Sequence, residues 1–316
     1  MLRSALQSLA MLLLLMAVGF AIAKKKWFKD GDEILSKLLV RVIMPFNVLL
    51  SILDHFSGTD DWNMFFRMIA CAAGMMLGSL AVGWIFASLL KTQRSRKGVF
   101  INATAFPNII LLGFPFVEAV YGADSMRYAV VYFLINTVLF WTICPIILNR
   151  YSEDGGQTRV FSLTNLRKCL SPSLVAMLVG LLLLATGIEL PNVLSNTMRK
   201  LAQCTTALSM IFIGCIIRKA KFRRETILNR DVLMLLVLKM VVVMAALILA
   251  LKWLPIPTDA KKVFLLLTAM PACVNLSILT HQYRCDYAFC AIVSTVMNVV
   301  CVLSVPLYVL LFEQVL

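Results

Sequence analysis

Two stretches of eleven residues match each other, and this match decides the predicted fold. Residues 97–107 read KGVFINATAFP and residues 261–271 read KKVFLLLTAMP, with six identical positions at an offset of 164. Shorter matches continue at similar offsets. They pair Lys37-Leu38 with Lys200-Leu201, Tyr121 with Tyr283, Asp124 with Asp286 and Pro145 with Pro306. The sequence therefore predicts an internal repeat that covers most of each half of the chain.

The composition is typical of a membrane protein. Hydrophobic residues make up 61% of the 316 residues and charged residues 15%, with a mean hydropathy of +0.89. A soluble domain has about 45–50% apolar and about 25% charged residues. The net charge of +14 would suggest nucleic acid as the partner of a soluble chain, but in a membrane protein it is typical of basic cytoplasmic loops. We therefore expect a lipid bilayer and no nucleic acid as partners.

The apolar residues form runs long enough to cross a bilayer, which takes about 20 residues. The sequence predicts ten spans, over residues 4–23, 34–53, 64–90, 98–121, 126–148, 172–188, 197–217, 232–252, 262–282 and 287–312. A polar segment with Gly155-Gly156 separates the two halves. The predicted organisation is a first five-helix repeat over residues 1–149, a cytoplasmic linker over 150–171 and a second repeat over 172–316. Five spans per half place the second copy upside down, which is an inverted repeat.

The basic residues predict the orientation. Twenty lie in loops after odd-numbered spans and eight on the opposite side. Because cytoplasmic loops are enriched in Lys and Arg, both termini are expected outside the cell membrane. An alternative takes the first span as a signal peptide, with Arg3 at its start and Ala21-Ile22-Ala23 as the cleavage site. The run Lys24-Lys25-Lys26 argues against it, because these lysines would have to be translocated.

Pro107 and Pro271 fall about ten residues into the fourth and ninth spans. Proline removes a backbone donor and clashes with the preceding turn, so each span is predicted to be broken near the midplane. Thr104 and Thr268 lie three residues earlier, where their hydroxyls can bond freed backbone groups. A simple kink is the alternative. Two half-helix N-termini facing each other would attract an anion such as a carboxylate, without any buried cation.

Polar side chains in the spans are the remaining candidates for substrate binding, because they are costly in lipid unless they line a cavity or pair. The alternative for each is a structural hydrogen bond, either within its own helix or to a neighbouring helix. The candidates are Asn47 and Ser51 in the second span, Asn108 in the fourth, Asn136 in the fifth, Asn275 in the ninth and Asn298 in the tenth.

Several kinds of site are not predicted. No Asp or Glu lies at the centre of a span, so a cation-coupled mechanism has no evident carboxylate. Lys239 and Arg41 lie within spans and are expected to snorkel or to pair. Nine cysteines and two histidines form no metal-ligand pattern. No nucleophile–base pair or phosphate loop is evident, so neither enzyme activity nor a cofactor is predicted.

The sequence resembles the auxin efflux carrier family of prokaryotic permeases, and distantly the plant PIN-type carriers. The resemblance covers essentially the whole chain. It is carried by Pro107-Asn108 through Gly113 and Pro115, Tyr121-Gly122, residues 38–51, Met210 to Gly214, Met270-Pro271 through Tyr283, and Pro306.

This resemblance implies ten spans in two inverted five-helix repeats, the crossed-helix fold of bile-acid and auxin carriers. Spans 1, 2, 6 and 7 would form a scaffold and a homodimer interface, and spans 4 and 9 would cross in a moving unit. It also implies alternating-access transport of small organic anions. The proline and asparagine of the family's crossing match Pro107 and Asn108. In the second copy Pro271 is followed by Ala272, and the nearest amide is Asn275.

Two other functions are compatible with the same sequence. One is a sodium-coupled organic-anion symporter of the bile-acid type, which has a similar arrangement of spans. The other is a membrane sensor with a carrier-like fold, which would bind a ligand without transporting it. Sodium-dependent uptake distinguishes the first from a sodium-independent carrier, and ligand binding without flux identifies the second.

Overall fold

A computed structural model describes residues 2–55, 62–153, 172–219 and 229–316. Their regular secondary structure is helical, apart from an isolated bridge between Pro107 and Ala272. Most of the predicted linker over 150–171, and most of the basic stretch after Arg218, lie outside the described residues. The all-helical class therefore agrees with the prediction for the part of the chain that is described.

The first half contains seven helices and two π-helical segments. They are α1 (Leu2–Ile22), α2 (Gly31–Leu38), a π segment (Leu39–Ile43), α3 (Met44–His55), α4 (Trp62–Leu89), α5 (Arg94–Ala105), a π segment (Ile109–Gly113), α6 (Phe114–Tyr121) and α7 (Met126–Arg150). Short 3-10 turns cover Lys26–Phe28 and Ala123–Ser125.

The described part of the second half contains seven helices and one π-helical segment. They are α8 (Pro172–Thr186), α9 (Asn192–Lys219), α10 (Arg230–Val237), a π segment (Leu238–Val243), α11 (Met244–Lys252), α12 (Thr258–Ala269), α13 (Val274–Gln282) and α14 (Tyr287–Val315).

Six helical stretches in the described residues are long and apolar enough to cross a membrane. They are Lys26–Asp54, Asn63–Leu89, Ala123–Arg150, Asn192–Lys219, Arg230–Lys252 and Tyr287–Val315. Three shorter apolar helices accompany them, at Ala10–Ile22, Ile109–Tyr121 and Pro172–Thr186. Helices of this length and hydropathy are typical of an integral membrane protein.

The described chain forms two compact units, and each draws on both halves of the sequence. The first unit comprises Met1–Phe66, Ile109–Val131 and Leu170–Ala220, and the second comprises Arg67–Asn108, Tyr132–Cys169 and Lys221–Leu316. Spans 1, 2, 6 and 7, expected as the scaffold, all fall in the first unit. Residues 109–131 also belong to it, although the family layout assigns them to the moving unit.

The first unit is built around a close crossing of α1 and α9. Gly19 and Gly214 allow this approach, because neither has a side chain to separate the backbones. A Cβ atom on Gly19 would overlap the carbonyl group of Ile211, and one on Gly214 would overlap the carbonyl oxygen of Met16. In the same unit α3 packs on α8, where Gly180 contacts Ile52.

In the second unit, α14 packs against α5, α10, α12 and α13. An ion cluster joins the first turns of three of these helices. Arg96 Nε donates to Asp286 Oδ2 at 2.8 Å, and Arg96 Nη1 lies 3.4 Å from Asp231 Oδ2. The hydrogen bond to Asp286 is the main reason why the pKa of Arg96 is raised above its usual value. Asp286 also caps α14, accepting from the backbone N–H of Phe289 at 2.8 Å.

Gly214→Ala is expected to destabilise the protein, because the new methyl group overlaps the Met16 carbonyl and forces α1 away from α9. The cost is about 1–3 kcal/mol for overpacking of this kind. It is measured as a lower unfolding midpoint of the purified protein. The matched control is Gly74→Ala in α4, where an added Cβ meets nothing within 4 Å. Equal midpoints for the two variants would contradict the close approach.

Candidate functional site

Two broken helices meet at the centre of the second unit. Helix α5 ends at Ala105 and α12 ends at Ala269, so the predicted interruptions near Pro107 and Pro271 are confirmed. The segments that follow run antiparallel to each other. The backbone N–H of Asn108 donates to the carbonyl oxygen of Pro271 at 2.7 Å, and that of Cys273 donates to the carbonyl oxygen of Phe106 at 3.0 Å. Pro107 and Ala272 lie opposite each other between these bonds.

Local sequence explains why the two helices end here. A residue that precedes proline avoids the helical conformation, because the proline ring clashes with its backbone. Phe106 is extended, with φ −102° and ψ 100°, and Met270 is extended, with φ −62° and ψ 151°. Extended residues present their N–H and C=O groups sideways. The two segments satisfy some of these groups by pairing, in a part of the chain where water is scarce.

The two threonines do not bond the groups that the prolines free. Thr104 Oγ1 donates to the carbonyl oxygen of Phe100, and Thr268 Oγ1 donates to that of Phe264, each at 2.9 Å. The expectation that these hydroxyls bond freed backbone groups is therefore wrong. A threonine hydroxyl in a helix reaches the carbonyl four residues earlier, which here lies before the broken turn.

The carbonyl group freed by Pro107 is bonded by Lys239 instead. In an unbroken helix the N–H of residue 107 would donate to the carbonyl oxygen of Ala103, but proline has no N–H. Lys239 Nζ donates to this oxygen at 2.9 Å, and the side chain is fully buried. The lysine neither snorkels nor pairs with an acid, contrary to the prediction. A buried lysine amine is therefore present next to the crossing.

Helix α7 packs on both broken helices. Tyr132 lies against the ring of Phe264 with 5.3 Å between ring centroids, and its hydroxyl is 2.8 Å from Thr268 Oγ1. Because the Thr268 proton is already donated to Phe264, Tyr132 is the donor in this second bond. Further along α7, Phe140 makes an edge-to-face contact with Phe106 at 5.4 Å. These residues were not predicted from the sequence, since nothing distinguishes a functional aromatic side chain from a packing one in an apolar span.

The predicted amides of the second unit differ in exposure. Asn108 and Asn136 are buried, Asn298 is half-buried, and Asn275 is exposed on the first turn of α13. Among the described residues, Oδ1 atoms of Asn136 and Asn298 have no hydrogen-bond partner, and neither has that of Asn102 on α5. Buried amide oxygens are normally bonded, so these three can accept hydrogen bonds from a ligand or from water.

Asn47 and Ser51 belong to the first unit and have partners there. Asn47 Nδ2 donates to Thr205 Oγ1 at 3.2 Å, and Ser51 Oγ donates to the carbonyl oxygen of Asn47 at 2.8 Å. The Asn47 amide joins α3 to α9, and the Ser51 hydroxyl bonds a backbone carbonyl of α3 itself. The structure therefore gives both residues an ordinary hydrogen bond, between helices for Asn47 and within its own helix for Ser51.

A cavity of about 520 Å³ lies elsewhere in the second unit, between α4 and the end of α11. It is lined by apolar residues together with Arg67 and Cys71, and none of the predicted site residues lines it. Within the described ranges, no group of three or more His, Cys, Asp or Glu side chains is placed to hold a metal ion. The crossing of the broken helices remains the strongest candidate site.

Long apolar helices and two discontinuous helices that cross are features of membrane transporters. The chain belongs to such a class, the membrane transport protein family that includes the auxin efflux carriers, whose family model matches residues 4–309. The resemblance seen in the sequence is thus confirmed. The family is one of transporters rather than enzymes. No curated protein matches the chain in sequence.

The Tyr132–Thr268 bond is expected to have unequal effects when either partner is replaced. Tyr132→Phe removes a donor but leaves no buried group unbonded, so it costs about 1 kcal/mol. Thr268→Val leaves the buried Tyr132 hydroxyl without its acceptor, which costs about 1–3 kcal/mol. The measurement is the unfolding midpoint of each purified variant. The double variant is expected to be more stable than Thr268→Val alone, and a further loss of stability would contradict the bond.

Proposed function

We propose that this protein carries small organic anions across the cell membrane by alternating access. The observation that supports the proposal is the antiparallel crossing of α5 and α12 at Pro107 and Pro271. Carriers of several folds bind their substrates between discontinuous helices, because helix ends offer unpaired backbone groups inside the bilayer. Family membership supports transport in general, and the chemistry of the crossing favours an anion.

The anion preference rests on the first turn of α13. The N-terminus of a helix carries a partial positive charge and N–H groups that have no partner within the helix. Cys273 occupies the N-cap position and makes no side-chain capping bond there. A thiol is a weak acceptor, so a carboxylate would bond these N–H groups more strongly. Asn275 is exposed on the same turn and could donate from its amide.

In this proposal the chain forms ten spans in two inverted repeats, with both termini outside. The four spans of the first unit act as the scaffold and as the interface of a homodimer. Substrate binds at the crossing in the second unit. The residues proposed to contact it or to shape the site are Pro107, Asn108, Thr104, Pro271, Asn275, Thr268, Asn136 and Asn298.

Ligand preference is tested first with purified protein. Small carboxylates, indole acids and amino acids are each compared with their neutral amides, in sodium and in choline salts. A rise in the unfolding midpoint with a carboxylate, but not with its amide, is the expected result. Uptake of the same acid into proteoliposomes then separates a carrier from a sensor, which would bind without flux. Equal effects of acid and amide would contradict the anion site.

Asn275→Ala is expected to weaken binding of the active carboxylate about tenfold, through loss of one hydrogen bond to a charged group. The protein should be as stable as before, because this side chain is exposed. Binding is measured by titration of the unfolding midpoint with the acid. The matched control is Asn196→Ala, an exposed asparagine of α9. Unchanged affinity in Asn275→Ala would remove this residue from the site.

Replacing both crossing prolines tests the broken helices. Pro107→Ala with Pro271→Ala restores two N–H donors, so each helix can continue through its break. Uptake into proteoliposomes is expected to fall to the background of empty vesicles while the protein stays folded. The matched control is Pro191→Ala, an exposed proline just before α9. Normal uptake by the double variant would show that transport does not need the crossing.

A further inference from the structure

Lys239 is the most unusual charged residue of the second unit. It lies in the π segment Leu238–Val243, between α10 and α11, and none of its surface is exposed. Its Nζ atom donates to the carbonyl oxygen of Ala103 at 2.9 Å. A lysine side chain is long enough to reach the membrane surface from many positions, so complete burial is a specific feature of this packing.

The bonded carbonyl belongs to the last turn of α5. Carbonyl groups at the C-terminal end of a helix carry a partial negative charge and have no N–H partner in the helix. Here the neighbouring carbonyl of Asn102 accepts from the N–H of Phe106 at 2.9 Å. The Ala103 carbonyl would need a donor from residue 107, which is proline. The break therefore creates an acceptor inside the protein, and the amine of Lys239 bonds it.

The other copy of the repeat differs at the corresponding carbonyl. The corresponding carbonyl, that of Leu267, accepts from the backbone N–H of Met270 at 3.1 Å. The offset of 164 residues places the uncharged Met75 at the position equivalent to Lys239. The lysine thus accompanies the copy in which the carbonyl four residues before the proline is bonded by a side chain and not by the backbone.

A positive charge on Lys239 would have no acidic partner in the described part of the chain. Within the described residues, none of the ion pairs includes Lys239. An isolated buried ammonium is costly unless dipoles or an anion offset its charge. The carbonyl dipole of α5 offsets part of it, and an anion bound at the crossing would offset more.

In carriers with broken helices, unwound carbonyls and C-terminal half-helix ends are the groups that coordinate a coupling sodium ion or proton. We propose that Lys239 is a built-in cation that occupies this position on α5, so that the substrate anion binds without a coupling metal cation. This inference rests on the proposed function. It distinguishes the protein from a sodium symporter by a residue of its own chain.

The test compares purified protein in choline, sodium and propylammonium chloride at equal ionic strength. Wild type is expected to have the same unfolding midpoint in all three salts, because its cation site is already filled. Lys239→Ala removes the ammonium and leaves space for a small cation. Its midpoint is expected to rise by at least about 3 °C in propylammonium relative to choline, as a small cation takes the vacant position.

Two further variants serve as controls. Lys239→Met fills the same space without a charge, so its midpoint is expected to be the same in the three salts. Lys252→Met replaces an exposed lysine at the end of α11 and should behave as wild type. The proposal is overturned if sodium stabilises wild type relative to choline, or if propylammonium leaves Lys239→Ala unchanged. If Lys239→Ala does not fold, the comparison of wild type in sodium and in choline still decides it, since sodium stabilisation of wild type contradicts a filled site.

A second measurement links the lysine to the substrate. Lys239→Met is expected to bind the active carboxylate at least about tenfold more weakly than wild type, in every salt, because the anion loses its counter-charge. Unchanged affinity would overturn the role of Lys239 in anion binding. The salt comparison needs no substrate. A wild type that binds no carboxylate would therefore contradict the proposed function and leave the cation site to be decided separately by its own result.

Discussion

A backbone polar group inside a membrane protein must be bonded by another protein group, because no bulk water is available to bond it. The crossing of α5 and α12 follows from this constraint. Two prolines each remove a donor and push the preceding residue out of the helix. The freed groups then find partners across the crossing, Asn108 with Pro271 and Cys273 with Phe106. The carbonyl group of Ala103, which Pro107 leaves without a backbone donor, accepts from the amine of Lys239 on a distant helical segment.

Much of this arrangement can be predicted from the sequence, because the effect of proline on the neighbouring backbone determines it. Proline at matched positions of a repeat predicts two broken helices whatever surrounds them, and both breaks are present. The side-chain partners could not be predicted in the same way. Lys239 and Ala103 are 136 residues apart, and nothing in either segment indicates that they touch. The same holds for Tyr132 and Thr268, which are also 136 residues apart. Tertiary packing decides such contacts, and a single sequence records packing only weakly.

The contacts within the first unit likewise could not be predicted from the sequence. Hydropathy divides the chain into spans, and the repeat divides the spans into two halves. Neither pattern indicates that Gly19 and Gly214 lie at a close helix crossing. A glycine in an apolar run is equally compatible with a position that faces lipid. Asn47 and Ser51 were candidate substrate ligands for the same reason. A polar residue in a span has an interhelical partner or a ligand, and only the position of Thr205 distinguishes the two cases for Asn47.

The unequal chemistry of the two half-helix ends has an energetic consequence. A carrier assembled from two equivalent inverted halves would rest equally often with its site open to either side of the membrane. Here the second half carries a buried lysine that bonds the broken helix of the first half, and the first half has methionine at the equivalent position. In a carrier that works by alternating access, the two open states then have different energies. The empty protein would favour one of them, and a substrate bound beside the lysine would shift that population.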